Sequence, residues 1–261
     1  MTNSQPDSPA ERHHGAPGAT DAATDAAQDA HGIVQDEAHD EAPLEARVCV
    51  LELKVQADAA AMPASAVAAG IEALSTALRD PDIGVVVLAL HGLRDAAPRA
   101  PATPAQVDAM HDWLLALRDS DKPTVAALDG DADGAALALA LACDLLVASR
   151  ETRLRLRPQL LHSGRAAAAG WLAAQRLPGA AATALCLGCE LDAVRAHAMG
   201  LIAELAPAHL AREQALLLAR RLLEQPPHVL AGIKRQLGEA AAQGLPQVLA
   251  EERARWLRGQ P

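Results

Sequence analysis

Apolar residues change period along this chain in a regular order. RVCVLELKV (Arg47–Val55) alternates apolar and polar, which predicts a strand. Pro63 then opens a helical pattern through Val67, Ile71, Leu74 and Leu78 that stops at Arg79-Asp80-Pro81. IGVVVLAL (Ile83–Leu90) is continuously apolar and β-branched, as a strand buried on both faces of a sheet must be. After a proline-rich loop, a helix is predicted from Pro104 to about Asp119, with Val107, Met110, Trp113, Leu114 and Leu117 on one side. Strands follow at Pro123–Leu128 and Leu145–Ala148, separated by DGDADGAALALALACD (Asp129–Asp144), a turn that runs into an apolar helix. Beyond about residue 165 the pattern is helical, over roughly 166–177, 179–187, 191–199, 208–224, 226–241 and 245–257, with one short strand at Leu201–Leu205. Strands alternating with helices make this an α/β protein with crossover connections and a helical C-terminal part.

Composition refines that picture. The chain has no Phe, no Tyr and three Trp, so its core is built from Leu, Ala and Val, and it lacks the rings that nucleic-acid bases stack on. Residues 1–46 hold ten acids and one Arg, whereas the rest holds 23 acids and 22 bases. Of the net charge of −10, −9 thus belongs to the N-terminal stretch, and the remainder, at −1, has no basic footprint for phosphate backbones. Residues 1–45, rich in Ala, Asp and Pro, are expected to be a disordered tail, because they cannot bury enough apolar surface to offset ordering. The four cysteines do not form a disulfide framework, and the single CLGC pair (Cys186, Cys189) reads as two small helix-end residues rather than a metal site. No signal peptide or membrane span is recognisable, so a soluble cytoplasmic protein is expected.

Five segments stand in one order: KPTVAALDG, ALACDLLVAS, AQRLPG, LCLGCELDAVRAHAMGLIAEL and EQPPHVLAGIKRQL. In that order and spacing they resemble the crotonase superfamily, the enoyl-CoA hydratase/isomerase family, over about residues 47–257. The resemblance implies a crotonase-like spiral of ββα units. An α/β core would occupy 46–205, and a helical oligomerisation part, shorter than usual, 206–261. It also implies an acyl-CoA ligand, with no other cofactor and no metal, and assembly as a homotrimer or hexamer. In the family, two backbone N–H groups form an oxyanion hole for the thioester carbonyl. Here they map to Ala135, in the turn, and to Arg99, in the loop Ala97–Ala102. Lys234 resembles the helix lysine beside the CoA phosphates, with an ordinary solvated helix charge as the competing reading.

The departures from the family bear on chemistry. Asp129-Gly130-Asp131-Ala132 stand where the family has Asn-Gly-Tyr-Ala, and Gly134-Ala135-Ala136 replace three glycines. The first catalytic glutamate falls on Ala138, and the second on Pro158, or on Gln159 after a one-residue shift. None of these side chains can carry a proton in hydration. Two groups are candidates to replace them. Asp133 precedes Gly134 and could act as base, unless it is merely a solvated turn aspartate. His162 follows the second lost position and is a candidate because histidine is the side chain whose ordinary pKa lies near neutrality, unless it is a surface-loop histidine.

Two expectations follow. In the first, the protein lacks hydratase activity, a pseudoenzyme that binds acyl-CoA or serves as a subunit beside an active crotonase paralogue. In the second, it is an active isomerase, lyase or thioesterase that stabilises an enolate with Asp133 as base. Nucleic acid and membranes are not expected partners.

Overall fold

A computed structural model describes residues 47–54, 64–91, 102–164, 166–241 and 245–258. In chain order the elements are β1 (Val48–Lys54), α1 (Ala64–Arg79), β2 (Val85–His91), α2 (Pro104–Asp119), β3 (Thr124–Asp129), β4 (Ala132–Asp133), α3 (Gly134–Ala142), β5 (Leu145–Ser149) and β6 (Arg153–Arg155). There follow α4 (Pro158–His162), α5 (Ala169–Arg176), α6 (Gly179–Cys186), β7 (Leu191–Asp192), α7 (Ala193–Ala198), β8 (Glu204–Ala206), α8 (Ala211–Leu222), α9 (Pro227–Ala241) and α10 (Leu245–Arg258). The expected tail, 1–45, lies outside the described residues.

Five strands form one parallel sheet in the order β1-β2-β3-β5-β8. Because side chains alternate across a strand, β2 feeds both layers of the core. Val86, Leu88 and Leu90 join Leu74, Trp113, Leu114, Leu117, Leu128 and Leu137 on the side of α1, α2 and α3. Val85 and Val87 join Val125, Ala127 and Val147 on the other side, where α8 lays Ala211, Ala215 and Ala219 against them. Alanines four residues apart let that helix come close to the sheet. The helical part that begins at 206 therefore shares a core with the strands before it.

The Pro104 helix starts where the sequence places it. Thr103 accepts a hydrogen bond from the Gln106 N–H while the Gln106 side chain returns to the Thr103 backbone, a complete capping box.

A second, small sheet, β4-β6-β7, has no counterpart in the sequence pattern. β4 pairs parallel with β6, placing Ala132 beside Leu154 and Asp133 beside Arg155, and β7 pairs antiparallel with β6. β7 takes the first two residues of the helix expected from 191, and Asp192 then caps α7 by accepting from the Arg195 N–H at 2.8 Å. α5 begins at Ala169 rather than 166, because Ala167 and Ala168 adopt left-handed conformations, φ 46° and 61°. Among the described residues no helix is long and apolar enough to cross a membrane.

Candidate active site

The stretch after β3 bends twice within five residues. Gly130 (φ 91°) turns the chain out of the large sheet into β4, and Gly134 (φ 52°) turns it from β4 into α3. Both conformations suit glycine and strain other residues. The result is a helix start aimed away from the sheet, with Ala135 as its second residue. The first N–H groups of a helix have no acceptor within it, and the Asp133 side chain makes no cap hydrogen bond to those of α3. Ala135, the position expected to supply an oxyanion donor, is half-buried in the first turn of this helix.

Asp133 is buried at that helix start, its carboxylate only 8% exposed. It is not a solvated turn residue. Arg157, just past β6, brings its Nε within 2.9 Å of Asp133 Oδ2. Two residues back along the same strand side, Arg155 and Arg153 turn to Glu190 instead, Arg153 Nε lying 3.2 Å from Glu190 Oε1. The hydrogen bond from Arg155 to Glu190 raises the guanidinium pKa, reinforced by the nearby charges of Asp131 and Asp133. Sequence reasoning missed Arg157. The available signal was arginine at every second position of RLRLR, which puts three guanidinium groups on one side of an extended segment.

Ala138, at the first lost glutamate position, has no exposed surface and belongs to the same apolar cluster as Leu154, Leu156, Leu160 and Ala166 to Ala169. Pro158 and Gln159 open α4 and are both exposed, so neither position supplies a buried acid or base. His162 ends α4, and its side chain lies outside those described. Arg99 also lies outside the described residues. The end of its loop is fixed, because the Ala102 N–H donates to the Ser163 carbonyl at 3.0 Å.

The structure puts Lys234 inside the protein. Its ammonium donates to the carbonyls of Leu117 and Lys122, each at 2.9 Å, and lies 2.8 Å from Asp144 Oδ2. These three acceptors match the three protons of an ammonium, so reaching a phosphate would require giving up an internal contact. Asp144 also accepts from the Thr124 N–H at 2.7 Å and the Thr124 hydroxyl at 2.9 Å, which ties the end of α3 to the start of β3. Arg176 completes this junction by donating to the carbonyls of Leu141, Cys143 and Asp144. The Ala-Cys-Asp segment is therefore a structural hinge between helix and strand. The Cys143 thiol within it is pushed up to about 12 by burial, with the Asp144 charge adding to the effect, which leaves it a protonated packing group.

The sequence pattern of enoyl-CoA hydratase/isomerase matches residues 44–257. A 2,3-dehydroadipyl-CoA hydratase of Escherichia coli is 32% identical over 139 residues, which are 52% of this chain and 54% of that protein. The chain thus spans about half the length of the curated relatives it matches. The crystal structure of an enoyl-CoA hydratase from Polaromonas superposes with a TM-score of 0.67 at 32% identity, covering 82% of this chain and 88% of that one. A probable enoyl-CoA hydratase from Mycobacterium smegmatis, 19% identical, has the same fold, with a TM-score of 0.68 over 82% of this chain and 91% of its own. With the spiral of ββα units, the glycine-bent turn into α3 and the Ala-Cys-Asp junction all in place, the chain belongs to the enoyl-CoA hydratase/isomerase family of the crotonase superfamily.

Proposed function

We propose that this protein binds a CoA thioester at the start of α3, holds the thioester oxygen with the Ala135 N–H, and does not hydrate the acyl chain. One observation carries the reading. The position of the first catalytic glutamate is an alanine sealed in the apolar core, while the alternatives for the second, Pro158 and Gln159, lie on the surface. Hydration needs one group to activate water and one to deliver a proton. A backbone N–H stabilises negative charge on oxygen but carries out neither transfer. No cofactor beyond the thioester is required.

Such a protein would act as an acyl-CoA-binding subunit, in a homotrimer or hexamer or beside a catalytically complete relative. Support for assembly comes from α9, where Val229, Ile233 and Leu237 recur at four-residue spacing and are 36%, 50% and 67% exposed.

The second reading, an active isomerase, lyase or thioesterase with Asp133 as base, is favoured by the carboxylate buried next to Ala135. Against it, taking up a proton would cost Asp133 its ion pair with Arg157. One experiment separates the two. Acetyl-CoA and crotonyl-CoA are titrated calorimetrically into the full chain, and crotonyl-CoA is then assayed for hydration and crotonyl-, acetoacetyl- and acetyl-CoA for isomerisation, cleavage and hydrolysis. Binding without turnover supports the proposal. Turnover that vanishes in Asp133→Ala establishes the second reading, and absence of CoA binding defeats both.

A further inference from the structure

α8 begins without a cap from the residue before it. Leu210 holds that position, with φ −117° and ψ 16°, and makes no side-chain cap hydrogen bond. The acceptor comes from far along the chain: the Ala211 N–H donates to Asp129 Oδ2 at 3.3 Å, across 82 residues of sequence. Asp129 is the last residue of β3, and Gly130, the first bend of the turn into α3, follows it directly. Its side chain lies on the same face of the sheet as Val125 and Ala127, which α8 covers with Ala211, Ala215 and Ala219. The other carboxylate oxygen, Oδ1, is buried and has no hydrogen-bond partner. His91, in register with Asp129 at the end of β2, does not supply one, and its own buried Nε2 is also unbonded. Among the described residues, the Ala211 N–H is thus the one hydrogen-bond donor to this carboxylate.

We infer that Asp129 is a positioning residue: by capping α8 from the end of β3, it fixes how the chain leaves the sheet into the Gly130 turn, and so where the Ala135 N–H stands. The inference rests on the reading of Ala135 as an oxyanion donor. Its physical basis is mechanical. The first N–H groups of α8 need acceptors, and the helix dipole favours a carboxylate among them. The start of α8 is held against the sheet by buried alanines, which makes it a fixed point for the end of β3. With one donor, the Asp129 side chain has one bonded arrangement, and the backbone that enters the turn shares that constraint. Gly130 is permissive in φ and ψ, so nothing at the bend itself restores the direction once the tie is cut. The pairing of β4 with β6 beyond it is only two residues long. A hydrogen bond of typical net strength that selects the turn conformation able to bind changes affinity about fivefold.

The test compares wild type, Asp129→Ala, Asp129→Asn and the Asp129→Ala/Leu210→Asp double variant, each as the full chain. Asp129→Asn keeps an acceptor for the Ala211 N–H. Leu210→Asp, at an exposed position, returns a carboxylate to the start of α8 without tying that helix to β3. Acetyl-CoA affinity is measured by calorimetry, stability by thermal unfolding, and hydrogen exchange of residues 130–137 by mass spectrometry without ligand. Asp129→Ala is expected to bind about fivefold more weakly, to melt about 2–4 °C lower and to exchange faster over 130–137. Asp129→Asn stays within about twofold of wild type in affinity and exchange. In the double variant the melting temperature recovers while weak binding and fast exchange persist, which a merely structural cap would not give. Recovery of all three together overturns the inference, as does wild-type exchange over 130–137 in Asp129→Ala. If wild type binds no CoA thioester, the proposed ligand is wrong, and the exchange of 130–137 still decides what Asp129 does to the turn.

Discussion

Lys234 offers the sharpest separation between a structural and a ligand-binding role. In Lys234→Met the apolar stem is kept and the ammonium lost. Three contacts go with it: two carbonyls at 2.9 Å and Asp144 at 2.8 Å, in a side chain only 9% exposed. Leu117 lies in the last turn of α2, where carbonyls have no partner within the helix and a cation is favoured. Hydrogen bonds to a charged group contribute about 1.5–3 kcal/mol each, and the loss is partly recovered because the desolvation of the ammonium is no longer required. Asp144 keeps its two bonds from Thr124. A net cost of about 3 kcal/mol follows. At ~2–4 °C per kcal/mol for a domain of this size, the melting temperature should fall by about 6–12 °C. The assay is thermal unfolding by circular dichroism, paired with acetyl-CoA titration of the folded variant well below its transition. The reasoning fails if the variant melts within about 1 °C of wild type while its CoA affinity drops about tenfold. That outcome would return Lys234 to the CoA phosphates.

Four further outcomes are expected. Gly70→Ala should destabilise by about 2–4 kcal/mol despite better helix propensity, because the added methyl would sit 2.3 Å from Trp113 Cη2; an unchanged denaturation midpoint would contradict this packing. Ala167→Gly, usually a destabilising change, should here leave the melting temperature unchanged or higher, since it relieves φ 46° in an L-residue; a loss of several degrees would count against the left-handed turn. His111 is held below its ordinary value near 6.5 chiefly by burial, with Asp108 and Asp112 opposing and Arg253 assisting. The unfolded chain therefore takes up that proton first, stability falls as pH drops through about 6.5, and His111→Leu should flatten this slope in melts from pH 7.5 to 5. Finally, Ala138→Glu should not restore hydration and should cost 3 kcal/mol or more at pH 7, a deficit that shrinks toward pH 4 as the buried carboxyl takes a proton; a stable variant that hydrates crotonyl-CoA would show the site open there.

What the sequence made legible follows from how far each signal reaches along the chain. The strands at 85–91 and 124–129 could be read because a strand buried on both faces must be apolar at every position. The α2 start could be read because Thr103 and Gln106 form their cap locally. The small sheet could not be read, since β4 and β7 are two residues long and their partner β6 lies about 20 and 40 residues away. Inside DGDADG, local chemistry points to a turn throughout, and only pairing with β6 makes Ala132-Asp133 a strand. Ala166 to Ala169 misled in the opposite way. Helix propensity favours alanine, but Ala167 and Ala168, both buried, take left-handed conformations before the helix begins.

The site divides along the same line. Counting from Cys143-Asp144 assigns the family's first acid position to Ala138, because a helix carries its register with it, and that residue is buried in the core. Counting could not show what lies beside the turn, because the Asp133–Arg157 pair spans 24 residues and depends on the β4–β6 register. The backbone around the turn is set by conformation: positive φ at Gly130 and Gly134, no cap hydrogen bond from Asp133 to α3, and left-handed residues at 167 and 168 even without glycine. The side chains around it are an alanine in the core, Ala138, a surface glutamine, Gln159, and Arg157 beside the turn. An aspartate in the N-cap position ordinarily bonds the first N–H groups of its helix, and Asp133 makes no such cap hydrogen bond. Asp133 instead lies 2.9 Å from Arg157, just past β6, so its surroundings are set by the small sheet as much as by the helix it precedes.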